Sequence, residues 1–415
     1  MNDTNPLHGL KILISGAGVA GPALAYWLSR YGADTIVVEI APALRTSGFA
    51  VDFRGPTHLG VLSQMGMLDE LRAVQTHGGA MSCVDADGRE IFRLPEAFAG
   101  GDIEVDRRDL SRLLYEHTAD RVEYLFGDTV TNLTETGGKV HVDFAASASR
   151  DVDLVVGADG LHSTVRRLTF GEESQFVRHL GYYLAGWDLP NEVHAGTTAQ
   201  QFNVPGRMAS VKADERDPSR AGAFVVFTSP LLDHDDRDWH DSERHKKLIT
   251  DAFSGLPWHV PHLLATLRDV DDLYFDSIAR VSVPHWSAGR VALLGDAAWG
   301  VTLGGMGVGT GIVGGYVLAG ELAAARGDHR AGLAGYESRM RGYASKWQRG
   351  ANPGQFLAPP TATRLRVRNA MFRNRLIQRL LVASTKSLAT DAGLPDYPGC
   401  TGRPGRAIDG PSSAQ

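Results

Sequence analysis

The segment Arg290–Leu322, RVALLGDAAWGVTLGGMGVGTGIVGGYVLAGEL, limits the folds open to this chain more than any other. It reads as a short apolar strand, one isolated carboxylate (Asp296), a glycine-rich turn and a helix. A strand that turns through glycines into a helix offers free backbone N–H groups to an anion. The N-terminal region repeats the pattern. Lys11–Ser15 (KILIS) predicts a buried strand, Gly16-Ala17-Gly18-Val19-Ala20-Gly21 a tight turn, and Ala20–Ser29 a helix. A third, acidic turn, Gly157-Ala158-Asp159-Gly160, lies between them. Two anion sites in this order predict one extended, phosphate-bearing ligand laid across a single domain.

Thr35–Glu39 predicts a second strand, so the chain starts with a βαβ unit. Its wholly apolar strands suit a parallel sheet covered on both faces. Val105–Tyr115 reads as a turn into a helix and Asp153–Val156 as another buried strand. From about Phe176 to Val281 the pattern alternates and is rich in aromatics, as in Gly181–Leu189, Met208–Lys212 and Ala221–Phe227. That predicts an antiparallel sheet, interrupted by one helix near Ser242–Phe253. The expected division is 1–175 and 282–360 for a discontinuous ligand-binding domain, with a substrate-facing lobe, 176–281, inserted in it. A bridging helix, 361–394, and a disordered tail, 395–415, follow.

Composition narrows the function. A net charge of -6 leaves no basic surface for nucleic acid. Two cysteines, Cys83 and Cys400, provide neither a disulfide framework nor zinc-ligand spacing. The start of the chain lacks the pattern of a signal peptide, so a cytoplasmic protein is expected. The most apolar run, Ile312–Leu322, is too short to span a bilayer. The basic stretch Arg364–Leu381 suits an anionic membrane surface, but packing across the domains is the favoured reading and no stable membrane association is expected. Glycine is over-represented, with 48 residues against a typical share of roughly 7%, and most of the excess is expected in turns that could hold phosphates.

The candidate binding residues follow from these motifs. Gly16, Gly18 and Gly21, with the backbone of Val19 and Ala20, suit a pyrophosphate at a helix N-terminus, and Glu39 ends the next strand where a carboxylate meets ribose hydroxyls. Arg45, with Gly48 after it, is either a phosphate-reaching cation or a solvated one; Arg107 and Arg108 pose the same choice. Asp159, followed by Ser163 and Arg166, is either a ligand contact or an ordinary Asp-Gly turn. Asp296 needs a partner at the tip of a buried strand, and Gly304, Gly305 and Gly307 precede a helix. His162, His179 and His285 read as surface or capping residues. Tyr182, Tyr183, Trp187, Phe202, Phe224 and Phe227 either line an apolar pocket or form the core of the lobe. The chain has no Ser-His-Asp set and no metal-ligand cluster, so no catalytic side chain is assigned.

Taken together, the GxGxxG turn with Glu39, Arg45, Arg107, the GADG turn and LGDAA resemble the FAD-dependent aromatic hydroxylases, typified by para-hydroxybenzoate hydroxylase, over roughly Leu10–Gly350. Within that family the chain looks most like the tetracycline-inactivating monooxygenases. The resemblance implies an α/β fold: a Rossmann-like FAD-binding domain, an inserted, mainly antiparallel β-sheet substrate domain and a long C-terminal helix. It implies that Gly16, Gly18 and Gly21 cradle the pyrophosphate, Glu39 the ribose, and Arg45 and Arg107 the length of the nucleotide. Asp296 would hold ribityl and phosphate groups, and Asp159 would serve both FAD and NADPH. Asp52 matches an acidic position near the flavin ring; Gly305, Gly307 and Val308 lie along the ring itself.

The family's cycle reduces FAD with NADPH or NADH and traps O2 as a C4a-hydroperoxide. One oxygen then passes to an aromatic or polycyclic substrate; a monomer or homodimer is expected. One departure stands out. The family places proline between GDAA and the glycine pair, whereas Trp299–Gly304 has none, and Trp299 stands where the family often has His or Tyr. A flavin halogenase needs a lysine between Lys11 and Lys139, and none is present. A reductase of the same fold, or a flavin-binding sensor without turnover, are the remaining alternatives.

Overall fold

Lys11–Ser15 occupies the middle of a six-stranded sheet in the computed structural model, which describes residues 5–44, 50–76, 79–96, 101–232, 241–304, 307–348, 352–380 and 393–397. The order across the sheet is Ser287–Ala288, Val291–Leu293, Leu154–Gly157, Lys11–Ser15, Asp34–Glu39 and Glu123–Phe126. All neighbours run parallel except the two-residue edge strand. Ile12, Leu13, Ile14, Val155, Val156 and Leu293 are fully covered, as apolar strands between two helical layers must be. From Lys11–Ser15 the chain passes to Asp34–Glu39 on one side, while Leu154–Gly157 continues the sheet on the other. The carboxyl ends of these strands therefore open a crevice at a topological switch point.

The helix Gly307–Ala324 packs on the helix Ala20–Arg30. A Cβ on Gly311 would lie 3.2 Å from that of Ala20, and one on Gly315 would lie 2.9 Å from the Leu24 nitrogen. These glycines are helix–helix contact points, which corrects the expectation that most of the glycine excess holds phosphates. The 18-residue helix is long and apolar enough to cross a bilayer, but Leu24, Leu294, Trp299 and Tyr397 wall it inside the protein.

The lobe is a seven-stranded sheet in the order Tyr274–Val281, Val177–Pro190, Arg220–Thr228, Arg207–Ala213, Ala199–Val204, Met81–Val84 and Glu90–Leu94. The expected boundary at 175 needs correction, because the last two strands come from within 1–175 and Met81–Val84 joins Ala199–Val204 in parallel. Alternation along each strand sorts the aromatics. Tyr183, Trp187, Phe202 and Phe227 pack against the helices Ser242–Phe253 and Val260–Leu267, the second of which was not expected. Tyr182, Leu184, Met208, Val226 and Ile278 lie on the opposite face, with Phe224 and Leu303 against them. Asp276, on this second face, acts electrostatically on Asp296, so it is the face turned toward the crevice.

The C-terminal helix covers Ala362–Arg373; Asn374 ends it, and its Oδ1 accepts from the Leu376 N–H at 2.9 Å to start residues 375–380. Phe372 stacks on Phe92 of the lobe edge at 5.5 Å. Arg368 donates to Asn203 Oδ1 at 2.9 Å and to the Phe356 and Leu357 carbonyls, both at 3.1 Å. The expected disordered tail also needs correction at its start. The Tyr316 hydroxyl donates to the Pro395 carbonyl at 2.8 Å and Tyr397 is buried against Gly320.

Candidate functional site

The glycine turn closes on the crevice because only hydrogen fits there. Gly16 has φ +108°, and a Cβ would stand 2.5 Å from the Ala158 carbonyl oxygen. One on Gly21 would stand 2.0 Å from the Gly16 oxygen. The helix then starts at Ala20 after Val19, with no side chain capping it, so its first N–H groups face the crevice. Glu39 is buried; its Oε2 accepts from the Ala17 N–H at 2.7 Å and its Oε1 from the Ala41 N–H at 3.0 Å. The carboxylate ties the turn to its own strand and keeps lone pairs for a further donor.

Asp296 and Arg107 face this turn from two other elements. Gly295, at φ +66°, turns the chain from Val291–Leu293 into the short helix Asp296–Trp299. The Asp296 carboxylate is exposed toward the crevice and has no hydrogen-bond or ion-pair partner among the described residues. Its Oδ1 lies 3.2 Å from where a Gly307 Cβ would stand, at the start of the long helix. The surrounding protein raises its pKa, Arg107 opposes that, and Asp276 adds to it. Arg107 begins the helix Arg107–Glu116; its guanidinium is 3.8 Å from a Cβ built on Gly18 and has no hydrogen bond or ion pair among the described residues. Arg108 is the solvated one of the pair, and bridges to Asp106 at 3.3 Å. A glycine cradle, an unpaired cation and an unpaired carboxylate fit a ligand that combines pyrophosphate with hydroxyl groups, as FAD does.

Asp159 turns inward. Its carboxylate accepts from the Ser163 hydroxyl, from the Val165 N–H at 3.0 Å and from the Ser15 hydroxyl at 3.4 Å. Burial raises its pKa against these bonds. Arg166 is fully buried and donates to the Leu161 carbonyl at 2.7 Å and the Ala297 carbonyl at 3.0 Å. It thereby fixes the helix that carries Asp296. His162 is neither a surface nor a capping residue, the two readings the sequence offers. It is half-buried and meets Glu173 at 2.9 Å and Asp276 of the lobe at 3.4 Å. Burial disfavours its charge, but the two carboxylates outweigh it and raise its pKa to about 9.

Asp52 sits on the ribbon formed by Val51–Phe53 and Ile103–Val105, directly opposite Glu104. Burial raises its pKa, while its ion pair with Arg54 pulls the other way. Glu104 accepts from the Thr76 hydroxyl at 3.0 Å, and burial raises its pKa too. His58 escaped the sequence reading. Its Nδ1 accepts from the Arg54 N–H at 3.2 Å, its Nε2 meets the Tyr343 hydroxyl at 3.1 Å, and burial lowers its pKa to about 4. Nothing local marks it, since Tyr343 lies far along the chain. Val308 is half-buried and packs on the core beside Gly307. Arg45, Gly48 and Gly305 lie outside the described residues.

Comparison with known proteins agrees with this geometry. The family model of the FAD binding domain matches residues 9–350. An uncharacterized protein of Mycobacterium tuberculosis (strain ATCC 25618 / H37Rv) is 39% identical over 81% of this chain and 91% of its own. A flavin-dependent monooxygenase of Legionella longbeachae serogroup 1 (strain NSW150) is 30% identical over 94% and 98% of the two chains. The crystal structure of tetracycline destructase Tet(51) superposes with a TM-score of 0.81 at 29% identity, covering 94% of this chain and 100% of that one. The chain belongs to the FAD binding domain family, and its full-length match to a flavin-dependent monooxygenase is consistent with the resemblance to the FAD-dependent aromatic hydroxylases carried by its turns.

Proposed function

We propose that this flavin-dependent monooxygenase consumes NADPH or NADH and transfers one oxygen atom of O2 to an aromatic or polycyclic small molecule held between the crevice and the inner face of the lobe sheet. The observation that carries this reading is one rung of that sheet. Gly186, Phe224, Ser210 and Gln201 are consecutive cross-strand partners and so share the inner face. Ser210 and Gln201 are 5% and 6% exposed and have no side-chain hydrogen bond among the described residues. A Cβ on neighbouring Gly222 would meet nothing within 4 Å, so there is open space above the sheet. An apolar floor with two waiting polar groups suits a planar ring system that carries a few hydroxyl or carbonyl groups.

FAD, when bound, supplies the electron transfer and the activation of O2. The side chains therefore bind, orient and exclude water. Gly16, Gly18, Val19, Ala20 and Gly21 hold the pyrophosphate, Arg107 neutralises it and Glu39 takes the adenosine ribose. Asp296 would accept from ribityl hydroxyls, giving it the partner it lacks among the described residues, and the N–H groups at Gly307 and Val308 would be available to the ring. Asp159 would serve the nucleotide by bracing the turn that Gly16 touches, and Asp52 with Arg54 would wall the ring side. Leu184, Met208, Val226 and Ile278 keep water from the reacting oxygen. The test is NADPH and NADH oxidation by flavin-loaded protein with phenolic and polycyclic compounds. Substrate-stimulated O2 uptake and a product heavier by one oxygen are expected. Absence of turnover with either donor overturns the proposal.

A further inference from the structure

Six large apolar side chains stand out as exposed among the described residues, and four of them belong to one stretch: Val367, Met371, Leu376 and Leu380. Each half of the stretch presents its two at i, i+4 spacing, on one side of a helical turn. The same stretch, 361–380, carries six arginines and no carboxylate, in a chain whose net charge is -6. Arg368 is engaged with Asn203 and holds the helix on the lobe, whereas Arg364, Arg366, Arg373, Arg375 and Arg379 are exposed. On the other wall, Arg93 is already matched by Glu90 at 2.8 Å. Arg375 and Arg379, with Pro95 and Gln378, line a cavity of about 330 Å³ in the same short stretch as the exposed Leu376 and Leu380. Two arginines lining a hollow, in a stretch whose apolar side chains are exposed to water, match a phosphate headgroup with its acyl chains alongside.

We infer that the face formed by Val367, Met371, Leu376 and Leu380, with Arg364, Arg366, Arg375 and Arg379, docks on an anionic phospholipid surface, reversibly and in the interfacial plane. The sequence favours packing across the domains over an anionic membrane surface for this basic stretch, and packing on the lobe occupies only part of it. The two functions of the segment use different side chains: Phe372 and Arg368 bind the lobe, while Val367, Met371, Leu376 and Leu380 stay exposed for the bilayer. The inference does not depend on the proposed substrate.

The full chain, loaded with FAD, is sedimented with vesicles of phosphatidylcholine alone and of phosphatidylcholine containing phosphatidylserine. Binding to the serine-lipid vesicles only, falling steeply as salt is raised, is expected. Replacing Arg375 and Arg379 by glutamine weakens it about fivefold per charge, about 25-fold together. Leu376→Ser with Leu380→Ser also weakens it, with flavin content and thermal midpoint unchanged. Equal sedimentation with both vesicle types, or wild-type binding by the glutamine variant, overturns the inference. So does release by inorganic phosphate at constant ionic strength, which places a soluble anion in the hollow. A dimer that the leucine variant dissolves without any vesicle effect assigns the face to a second copy of the chain instead.

Discussion

His58 titrates the seam between the crevice and the long helices, and the size of its effect follows from its surroundings. It is 1% exposed, lies against Gly309, and uses both ring nitrogens, Nδ1 as acceptor from Arg54 and Nε2 toward Tyr343. A proton on Nδ1 would face the Arg54 N–H, so the folded protein holds the ring neutral, with a pKa of about 4 against the ordinary 6.5. A depressed histidine pKa means that the unfolded chain binds more protons between these two values. Stability is therefore whole above about pH 6.5 and is lost as pH falls toward 4. Between about pH 7.5 and about pH 5 the loss from this residue is roughly 2 kcal/mol, and it approaches about 3 kcal/mol below pH 4. His58→Gln keeps an acceptor for Arg54 and a donor for Tyr343 but does not titrate. Urea unfolding of both proteins at the two pH values checks this, because every other acid-sensitive group is common to them. The wild type is expected to lose roughly 2 kcal/mol more than the variant on acidification. Parallel losses refute the assignment of a neutral, doubly bonded imidazole.

Three further outcomes are expected. Asp296→Ala purifies with little bound flavin and Asp296→Asn with an intermediate amount, read as the ratio of flavin to protein absorbance; unchanged flavin content counts against the whole cofactor assignment. Gln201→Leu leaves flavin content alone and raises KM for a polar-substituted ring substrate by roughly tenfold, the cost of one lost buried hydrogen bond; an unchanged KM removes Gln201 from the pocket. For His162 the sign is opposite to that of His58. Its raised pKa of about 9 makes its stabilisation complete below about 6.5 and lost as pH rises through 9, so His162→Asn should flatten the alkaline decline seen by denaturant unfolding.

The elements legible in the sequence are those whose signal is local. Lys11–Ser15, Asp34–Glu39 and Val291–Leu293 announce themselves as apolar runs next to glycine turns, and the parity of the lobe strands separates Tyr182 from Tyr183 without coordinates. What the sequence hides depends on distant partners. Met81–Val84 is an ordinary short strand until Ala199–Val204 pairs with it across more than a hundred residues. Asp159 has the same neighbours in sequence whether its carboxylate points out to a ligand or in to Ser15, Ser163 and Val165, and only the packing decides. The glycines of Gly307–Ala324 look like those of a phosphate loop, yet their missing side chains serve Ala20 and Leu24.

The proline-free loop follows the same rule and carries a consequence for the site. Proline would stiffen the chain after Asp296 from within. Here the stiffness comes from outside: the Val281 N–H donates to the Gly300 carbonyl at 2.8 Å and the Thr302 N–H to the Ala279 carbonyl at 3.1 Å. The Thr302 hydroxyl adds a bond to the Ser277 carbonyl at 2.9 Å, and Gln348 holds the Trp299 carbonyl at 3.0 Å. Trp299 itself is sunk against Trp286, with ring centroids 4.5 Å apart. The loop is thus an extension of the lobe strand Tyr274–Val281, the strand that also carries Asp276 toward Asp296. A displacement of the lobe sheet therefore acts directly on the loop that follows Asp296, through the bonds at Gly300 and Thr302.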